Sequence, residues 1–281
     1  MAPTDDPAAT AASDPAPCYF QADGDRLVPT RRTRGPWGEW MGGGSVGGLL
    51  AHAAERAVDD PELVPARLTV DLLRPVALEP VVLRTDIVRQ GRRLVLVDAQ
   101  VVQNDVVVSR ASVLYLRPSQ QPPDPVWTTD VAMPPLPTAE QQANLGSGRA
   151  SWAYGSGAGG GAADSGLAEW RHVGPKFTWN RDATPLIDGE PTSPFVRTAL
   201  VGDATSPLTH FGAAGLQFIN ADYTVTLSRL PRGPFIGLAA LTHYSHAGVA
   251  TGTATIFDEN GPIGSSVATA LADTRFALPP R

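Results

Sequence analysis

The sequence predicts an α+β protein in which one domain occurs twice along the chain. The first observation is an internal repeat, because residues 69–75 resemble residues 224–231 at an offset of about 155 residues. The second is that each copy begins with a helical pattern and continues with several long, alternating strands. The third is that the strands are joined by short turns, at Asn104 in one copy and Asn260 in the other. We expect two curved antiparallel sheets that lie side by side and wrap around their helices.

In the first copy, a glycine-rich segment over residues 42–48 precedes a run of helix-forming residues. That run predicts a helix over residues 49–58, which ends at Asp59-Asp60-Pro61. Because glycine lacks a side chain, this segment favours close packing of other backbone around the helix. The predicted strands that follow cover residues 67–73, 81–89, 94–102 and 106–116.

In the second copy, the helical segment is predicted in two pieces. Ser193-Pro194 resembles an N-cap followed by a first-turn proline, and Gly202 closes this helix. Ser206-Pro207 repeats the start signal, and Gly215 repeats the stop signal. The predicted strands of this copy cover residues 222–229, 235–244, 249–257 and 263–273.

These patterns divide the chain into four segments. Residues 1–24 form a tail that is expected to be disordered, because its composition is rich in Ala, Pro and Asp. Residues 25–118 form the first domain and residues 167–281 form the second. Residues 119–166, which are rich in Pro and then in Gly, Ala and Ser, are expected to be a linker without long elements.

The composition is that of a soluble globular protein, with 42% hydrophobic and 18% charged residues. A net charge of −6 argues against a general nucleic-acid or anionic-membrane surface. Cys18 is the only cysteine, so an intramolecular disulfide is impossible. No apolar run reaches the about 18–20 residues of a membrane span, and the N-terminus lacks a secretory signal pattern. We therefore expect a cytoplasmic protein.

Asp203 lies on the predicted connector between the two helices of the second copy. An acid there can cap the following helix or complement its dipole. It can also be part of a functional site, in which free backbone N–H groups at a helix N-terminus polarise a water or a carbonyl oxygen. The corresponding position in the first copy, near Gly47-Gly48, carries no acid. This asymmetry favours one site per chain.

Taken together, the motifs resemble the type II acyl-CoA thioesterase family, whose members are tandem, or double, hotdog proteins. The resemblance covers both copies, from about residue 29 to residue 276. The segments that carry it are, in order, the glycine-rich helix, Leu72-Leu73-Arg74-Pro75, Val88-Arg89-Gln90-Gly91-Arg92, Ser109-Arg110-Ala111-Ser112-Val113-Leu114, Gly202-Asp203, Phe218-Ile219-Asn220-Ala221-Asp222, Arg229-Leu230-Pro231 and Asp258-Glu259-Asn260-Gly261-Pro262-Ile263-Gly264.

The resemblance implies hydrolysis of acyl-CoA thioesters without a cofactor or a metal. In the family, Asp, Thr and Gln orient the attacking water, and a helix N-terminus polarises the thioester carbonyl. By position these three roles fall on Asp203, Asn220 and Thr269, so only the first position has the same residue type as the family. Asn and Thr can each donate and accept hydrogen bonds, so both can still hold a water.

The resemblance also implies where the substrate binds and what the protein associates with. The acyl chain is expected between the two halves, along the inner helix. Gly43 and Gly44 are expected to contact it, and Arg92 is a candidate for the CoA phosphates, because guanidinium pairs well with phosphate. Acyl-CoA is therefore the expected partner, and a homodimer or higher homo-oligomer is a further possibility.

Two other functions remain open from the sequence. The departures at Asn220 and Thr269 are compatible with a non-catalytic protein that binds acyl-CoA. Asp203 and His210 resemble the motif of hotdog enoyl-CoA hydratases, although their spacing is longer by two residues. Serine and metal chemistry are poorly supported, because no Gly-x-Ser-x-Gly is present and the spacing of His243 and His246 on a strand places them on opposite faces.

Overall fold

The computed structural model describes residues 18–143, 148–155 and 169–273. The helices are α1 (Gly43–Arg56), α2 (Ala139–Ala143), α3 (Pro194–Gly202) and α4 (Thr205–His210), with a 3-10 helix at Arg31–Thr33. The strands are β1 (Phe20–Asp23), β2 (Arg26–Pro29), β3 (Val64–Asp71), β4 (Val81–Gln90), β5 (Leu94–Gln103), β6 (Val106–Leu116), β7 (Arg149–Tyr154), β8 (Phe177–Asp182), β9 (Phe211–Gly212), β10 (Gly215–Leu216), β11 (Phe218–Asn220), β12 (Asp222–Leu227), β13 (Phe235–His246), β14 (Val249–Asp258) and β15 (Gly261–Ala272).

One antiparallel sheet contains both halves of the molecule. Its strand order is β1-β2-β4-β5-β6-β3 in the first half and β12-β15-β14-β13-β8-β7 in the second, with β11 paired to β15. The two halves join where β3 pairs with β12. Helix α1 packs on the strands of the first half and α4 on those of the second, while α1 and α3 pack on each other. The prediction of two sheets side by side, with helices inside, is confirmed.

The repeat is visible in the geometry of the junction. Thr69 and Thr224 lie opposite each other in the register of β3 and β12, and Thr224 Oγ1 donates to Thr69 Oγ1 at 3.1 Å. The offset of 155 residues found in the sequence (224 minus 69) is therefore the offset of the central pair. The same offset relates Gln103 to Asp258 (258 minus 103), and each of these side chains binds the backbone of a loop in its own half. The two halves are therefore related by a pseudo-twofold axis that passes near these two threonines.

Asp258 anchors the loops at one end of the second half. Its carboxylate accepts hydrogen bonds from the Arg229 guanidinium, with one N–O distance of 2.8 Å, and from the backbone N–H groups of Arg232 and Asn260. Burial alone would raise the pKa of this carboxyl, but these donors hold it at about 2. The segments Arg229-Leu230-Pro231 and Asp258-Glu259-Asn260-Gly261 are therefore joined by one ion pair.

Replacing Asp258 by Asn is expected to lower the free energy of unfolding at neutral pH by about 3 kcal/mol, because it leaves Arg229 without its charge partner. A carboxyl whose folded pKa lies below its ordinary value of 3.8 stabilises the protein above that pH, and this contribution is lost as the pH falls toward 2. Urea unfolding at pH 7 and at pH 4 and below measures both effects. Glu259→Gln, at an exposed neighbouring acid, is the control. A difference from wild type that does not shrink with falling pH would contradict the assignment.

Helix α1 begins earlier than the sequence predicts, because the glycine-rich segment lies inside it. The structure explains why a helix tolerates these glycines, each of which costs about 1 kcal/mol relative to alanine. A Cβ atom on Gly47 would overlap the Tyr223 hydroxyl, and one on Gly48 would lie 3.1 Å from Leu200 Cγ. Side chains from the second half thus occupy the space that side chains at these helix positions would need.

Two expectations about the chain outside the domains are corrected. The expected disordered tail, residues 1–24, includes β1. Residues 18–20 are buried, and Phe20 belongs to the hydrophobic core. The expected linker, residues 119–166, includes β7, which pairs with β8 and extends the sheet. Residues 1–17, 144–147, 156–168 and 274–281 lie outside the described residues. Among the residues that the structure does describe, no helix has the length and apolar character to cross a membrane.

Candidate active site

A cavity of about 390 Å³ lies at the junction of the two halves. Helix α1 contributes its N-terminal residues from the first half, and the α3–α4 connection and β11 contribute residues from the second. Most of the other lining side chains are apolar or aromatic, and they include Trp37, Trp40, Met41, Leu72, Leu216 and Ile219. A concave, largely apolar site with a few polar groups is typical of a small-molecule pocket. The acyl chain is expected between the two halves, and this cavity lies between them.

Asp203 lies in this cavity and is the C-cap residue of α3. Its carboxylate accepts a hydrogen bond from Asn220 Nδ2 at 2.9 Å, and another from the backbone N–H of Gly44. It does not cap its own following helix, because α4 begins after Ala204 and has no side-chain cap. The acid of the second half therefore faces the N-terminus of the first half's helix, an arrangement that the local sequence around Asp203 does not reveal.

Burial raises the pKa of the Asp203 carboxyl above its ordinary value. The hydrogen bonds from Asn220 and from the Gly44 N–H, together with the positive charge of Arg149, act in the opposite direction. A carboxylate with a raised pKa is a stronger base than an exposed one, and its protonated form is easier to reach. These properties suit a group that takes a proton and later returns it.

Gly43 and Gly44 form the first turn of α1, which begins at the N-cap residue Gly42. The first N–H groups of a helix have no intrahelical acceptor, and the helix dipole places partial positive charge there. A Cβ atom on Gly43 would overlap Asp203 Oδ1, and one on Gly44 would lie 2.5 Å from the Leu200 carbonyl oxygen. Glycine is therefore needed here for the two halves to approach each other.

Asn220 is the second predicted residue that the structure brings to Asp203. It ends β11, which pairs with β15 and projects into the cavity beside α4. Since its Nδ2 group binds Asp203, its Oδ1 atom is the group that can accept a hydrogen bond from a bound water.

Thr269 lies apart from these residues, on β15. Its side chain is exposed, whereas its neighbours Ala268 and Ala270 are buried, because successive side chains of a strand point to opposite faces. Its backbone N–H donates to Asp222 Oδ1 at 2.7 Å. The structure thus assembles Asp203 and Asn220 but not Thr269, and the inward position beside Thr269 is an alanine.

Arg92 also lies apart, in the turn between β4 and β5, where it lines a different surface cavity with Arg93 and Arg117. The arginines that line the cavity of Asp203 are Arg34, Arg74 and Arg149. Arg74 stands in a motif that marks a strand end in the sequence, but nothing in that motif indicates a binding role. Arg149 follows the proline-rich segment and carries no sequence signal.

His210 does not approach Asp203. It lies at the end of α4, is buried, and packs against His243 with ring centroids 5.1 Å apart. Burial, and then His243, lower its pKa to about 4. His210 is not among the residues that line the cavity of Asp203, so the geometry of an Asp–His hydratase pair is not formed. In the described part of the chain, no cluster of three or more His, Cys, Asp or Glu is suitably placed for a metal ion.

Comparison with models of known protein families shows which family this chain belongs to. A model of the acyl-CoA thioesterase N-terminal domain matches residues 33–116, and a model of the acyl-CoA thioesterase C-terminal domain matches residues 120–272. This chain belongs to the acyl-CoA thioesterase family. The resemblance to type II acyl-CoA thioesterases is confirmed. The match to the C-terminal domain begins at residue 120, within the segment 119–166 that the sequence predicts to be a linker.

Solved structures of acyl-CoA thioesterases and related hotdog proteins share the fold of this chain. The tesB protein of Mycobacterium avium subsp. paratuberculosis is similar over 90% of this chain and 95% of its own, with 18% identity and a TM-score of 0.63. The acyl-CoA thioesterase II TesB2 of Mycobacterium marinum is similar over 82% and 90%, with 18% identity and a TM-score of 0.57. A hot dog fold protein of unknown function from Alicyclobacillus acidocaldarius is similar over 95% and 98%, with 17% identity and a TM-score of 0.58. The tandem hotdog prediction is confirmed. The comparison with curated proteins finds no match.

Proposed function

We propose that this member of the acyl-CoA thioesterase family hydrolyses acyl-CoA thioesters, with Asp203 as the general base. The observation that carries the proposal is the position of the Asp203 carboxylate, between the Asn220 amide and the glycine turn of α1, on the wall of an apolar cavity. Membership of the family supports the reaction class. The assignment of roles to individual residues is our proposal.

In the proposed reaction, the attacking water lies between Asp203 and Asn220. Asn220 Oδ1 accepts a hydrogen bond from this water, and the Asp203 carboxylate takes its proton as the oxygen attacks the thioester carbonyl carbon. The tetrahedral intermediate then expels the CoA thiolate, which receives the proton held by Asp203. The products are the free acid and CoA, and the carboxylate is regenerated.

The N-terminal turn of α1 would stabilise the negative charge that develops on the carbonyl oxygen. Its first residue, Gly43, has no side chain, so a substrate can approach that N–H closely, whereas the Gly44 N–H donates to Asp203. Fixed N–H donors directed at a developing oxyanion are among the strongest catalytic contributions known for acyl transfer. A thioester is already activated, so a base and an oxyanion site suffice without a covalent nucleophile.

We further propose that Arg74 and Arg149, rather than Arg92, meet the phosphates of CoA. Both line the cavity of Asp203 and both are exposed, whereas Arg92 lines a separate cavity. Arg34, the third arginine of this cavity, forms an ion pair with Glu39. Guanidinium groups at the mouth of an acyl site are suited to phosphate because they donate paired hydrogen bonds.

Replacing Arg74 by Gln is expected to raise KM for acyl-CoA about fivefold, because an exposed ion pair contributes about 1 kcal/mol or less. The value of kcat should stay within about twofold, since the group does not act on the reacting atoms. Steady-state kinetics with one acyl-CoA measure both constants. Arg92→Gln is the matched control and should leave both unchanged. An increase in KM in Arg92→Gln alone would restore the prediction made from the sequence.

The test of the function itself is release of free thiol from a series of acyl-CoAs. The series should run from acetyl-CoA to palmitoyl-CoA and include benzoyl-CoA, because the cavity carries both aliphatic and indole surfaces. Catalytic release of thiol from at least one member is the expected result. An acyl-CoA that binds and remains intact for hours would indicate a binding protein, an outcome that the alanine at the inward position of β15 favours. Loss of enoyl absorbance with crotonyl-CoA would indicate a hydratase.

A further inference from the structure

Tyr223 occupies the junction between the two halves, although neither the sequence patterns nor the proposed reaction uses it. Its side chain is fully buried, with a relative exposure of 0%, and it lies on β12. The ring fills a slot formed by two glycines. A Cβ atom on Gly47 of α1 would overlap its hydroxyl, and one on Gly202 of α3 would lie 3.0 Å from Tyr223 Cε2.

The Tyr223 hydroxyl donates a hydrogen bond to the backbone carbonyl of Ala199 at 2.9 Å. Ala199 lies in the last turn of α3, four residues before Asp203, and Gly47 lies one turn after Gly43 in α1. The same side chain therefore contacts the last turn of α3, which leads to Asp203, and the turn of α1 that follows the one facing Asp203. The distance between these two turns determines whether the Asp203 carboxylate can accept the Gly44 N–H.

We propose that Tyr223 is a positioning residue, which fixes the end of α3 against the N-terminal turn of α1 and so holds Asp203 in its working geometry. The proposal rests on the proposed function for its effect on the rate, but not for its effect on the geometry. Tyr223 does not line the cavity and touches no reacting atom. It acts through Asp203.

The electrostatic surroundings fit this role. Burial, and then the nearby Asp203 charge, raise the pKa of the Tyr223 hydroxyl, so it stays protonated and remains a donor throughout the working pH range. The charged groups that share the cavity with Asp203 are Arg34, Arg74 and Arg149, and all are cations. The Tyr223 hydroxyl is the donor that joins β12 to the Ala199 carbonyl of α3.

Replacement of Tyr223 by Phe keeps the ring in its slot and removes only the hydrogen bond to Ala199. We expect kcat to fall about tenfold, because a small displacement of a catalytic group is costly, while KM stays within about twofold. Tyr115→Phe is the matched control. Tyr115 is also buried in the core, and its hydroxyl has no hydrogen-bond partner among the residues that the structure describes, so its loss should leave both constants unchanged. Equal losses in both variants would overturn the proposal.

A second measurement does not depend on activity. The pKa of Asp203, followed by carboxyl ¹³C NMR and assigned with Asp203→Asn, should rise in Tyr223→Phe, because the displaced carboxylate loses the Gly44 donor that favours its charged form. It should not move in Tyr115→Phe. An unchanged Asp203 pKa in Tyr223→Phe would overturn the positioning role, whether or not the protein hydrolyses thioesters. A shifted pKa in a protein without hydrolysis would overturn the proposed function alone.

Discussion

Replacing Asp203 by Asn is expected to lower kcat for acyl-CoA hydrolysis by about three orders of magnitude, the middle of the range for loss of a general base. Asn has nearly the size of Asp and its Oδ1 can still accept a hydrogen bond, but its side chain cannot take a proton from water. The melting temperature should stay the same or rise, because burial raises the pKa of Asp203 and its charge therefore costs stability. Thiol release and a thermal melt measure the two effects.

Asp222→Asn is the control for this change. Asp222 begins β12 and accepts the Thr269 backbone N–H, but it does not line the cavity, so its replacement should leave kcat within about twofold. In wild type, activity should be lost as the pH falls through a value above 3.8, because the base must be ionised and its pKa is raised. Retention of activity in Asp203→Asn would show that the catalytic centre lies elsewhere.

The second large effect is expected at Gly43, where alanine should lower kcat about a hundredfold. The added Cβ would overlap Asp203 Oδ1 and would lie 3.1 Å from Leu72 Cδ1, so the carboxylate must turn away from the α1 N-terminus. The folded state should be retained, since a side-chain oxygen can move more readily than backbone. Steady-state kinetics, with circular dichroism to confirm folding, measure the outcome.

Gly48→Ala provides the comparison on the same helix. The three atoms nearest to its Cβ would be side-chain carbons of Leu200 and Leu186, at 3.0 to 3.2 Å, whereas for Gly43 the nearest atom is Asp203 Oδ1. We expect a change in stability without a loss of kcat. If Gly43→Ala and Gly48→Ala lower kcat equally, the effect of Gly43 comes from general packing of α1 and not from its contact with Asp203.

Most of the fold could be predicted from the sequence because its signals are local or periodic. The alternation of the long strands, the turns at Asn104 and Asn260 and the offset of 155 residues all survive in the structure. The start of α1 could not be predicted, since the glycines are stabilised there by contacts with α3 and Tyr223, which are distant in the sequence. The same holds for β7, whose pairing with β8 has no strong local signal.

The site was predictable in part, for a related reason. Asp203 and Asn220 stand next to motifs of fixed spacing, and the structure brings them together at 2.9 Å. The prediction for Thr269 depends on its position along a strand, where a shift of one residue moves a side chain to the opposite face. The prediction for Arg92 rests on the pairing of guanidinium with phosphate, and charge in a sequence does not reveal which cavity a side chain lines. The turn of α1 that faces Asp203 belongs to the other half of the chain, so its position beside Asp203 is visible only in the structure.

The central claim is that Asp203 activates a water at the junction of the two halves. The most direct measurement is a single-turnover reaction in H₂¹⁸O with one acyl-CoA, with wild type and Asp203→Asn compared and binding measured in parallel. We predict that wild type releases CoA and a free acid that carries one ¹⁸O atom, whereas Asp203→Asn binds the same acyl-CoA with similar affinity and releases neither. Release of labelled acid by Asp203→Asn at the wild-type rate, or intact acyl-CoA on wild type, would contradict the claim.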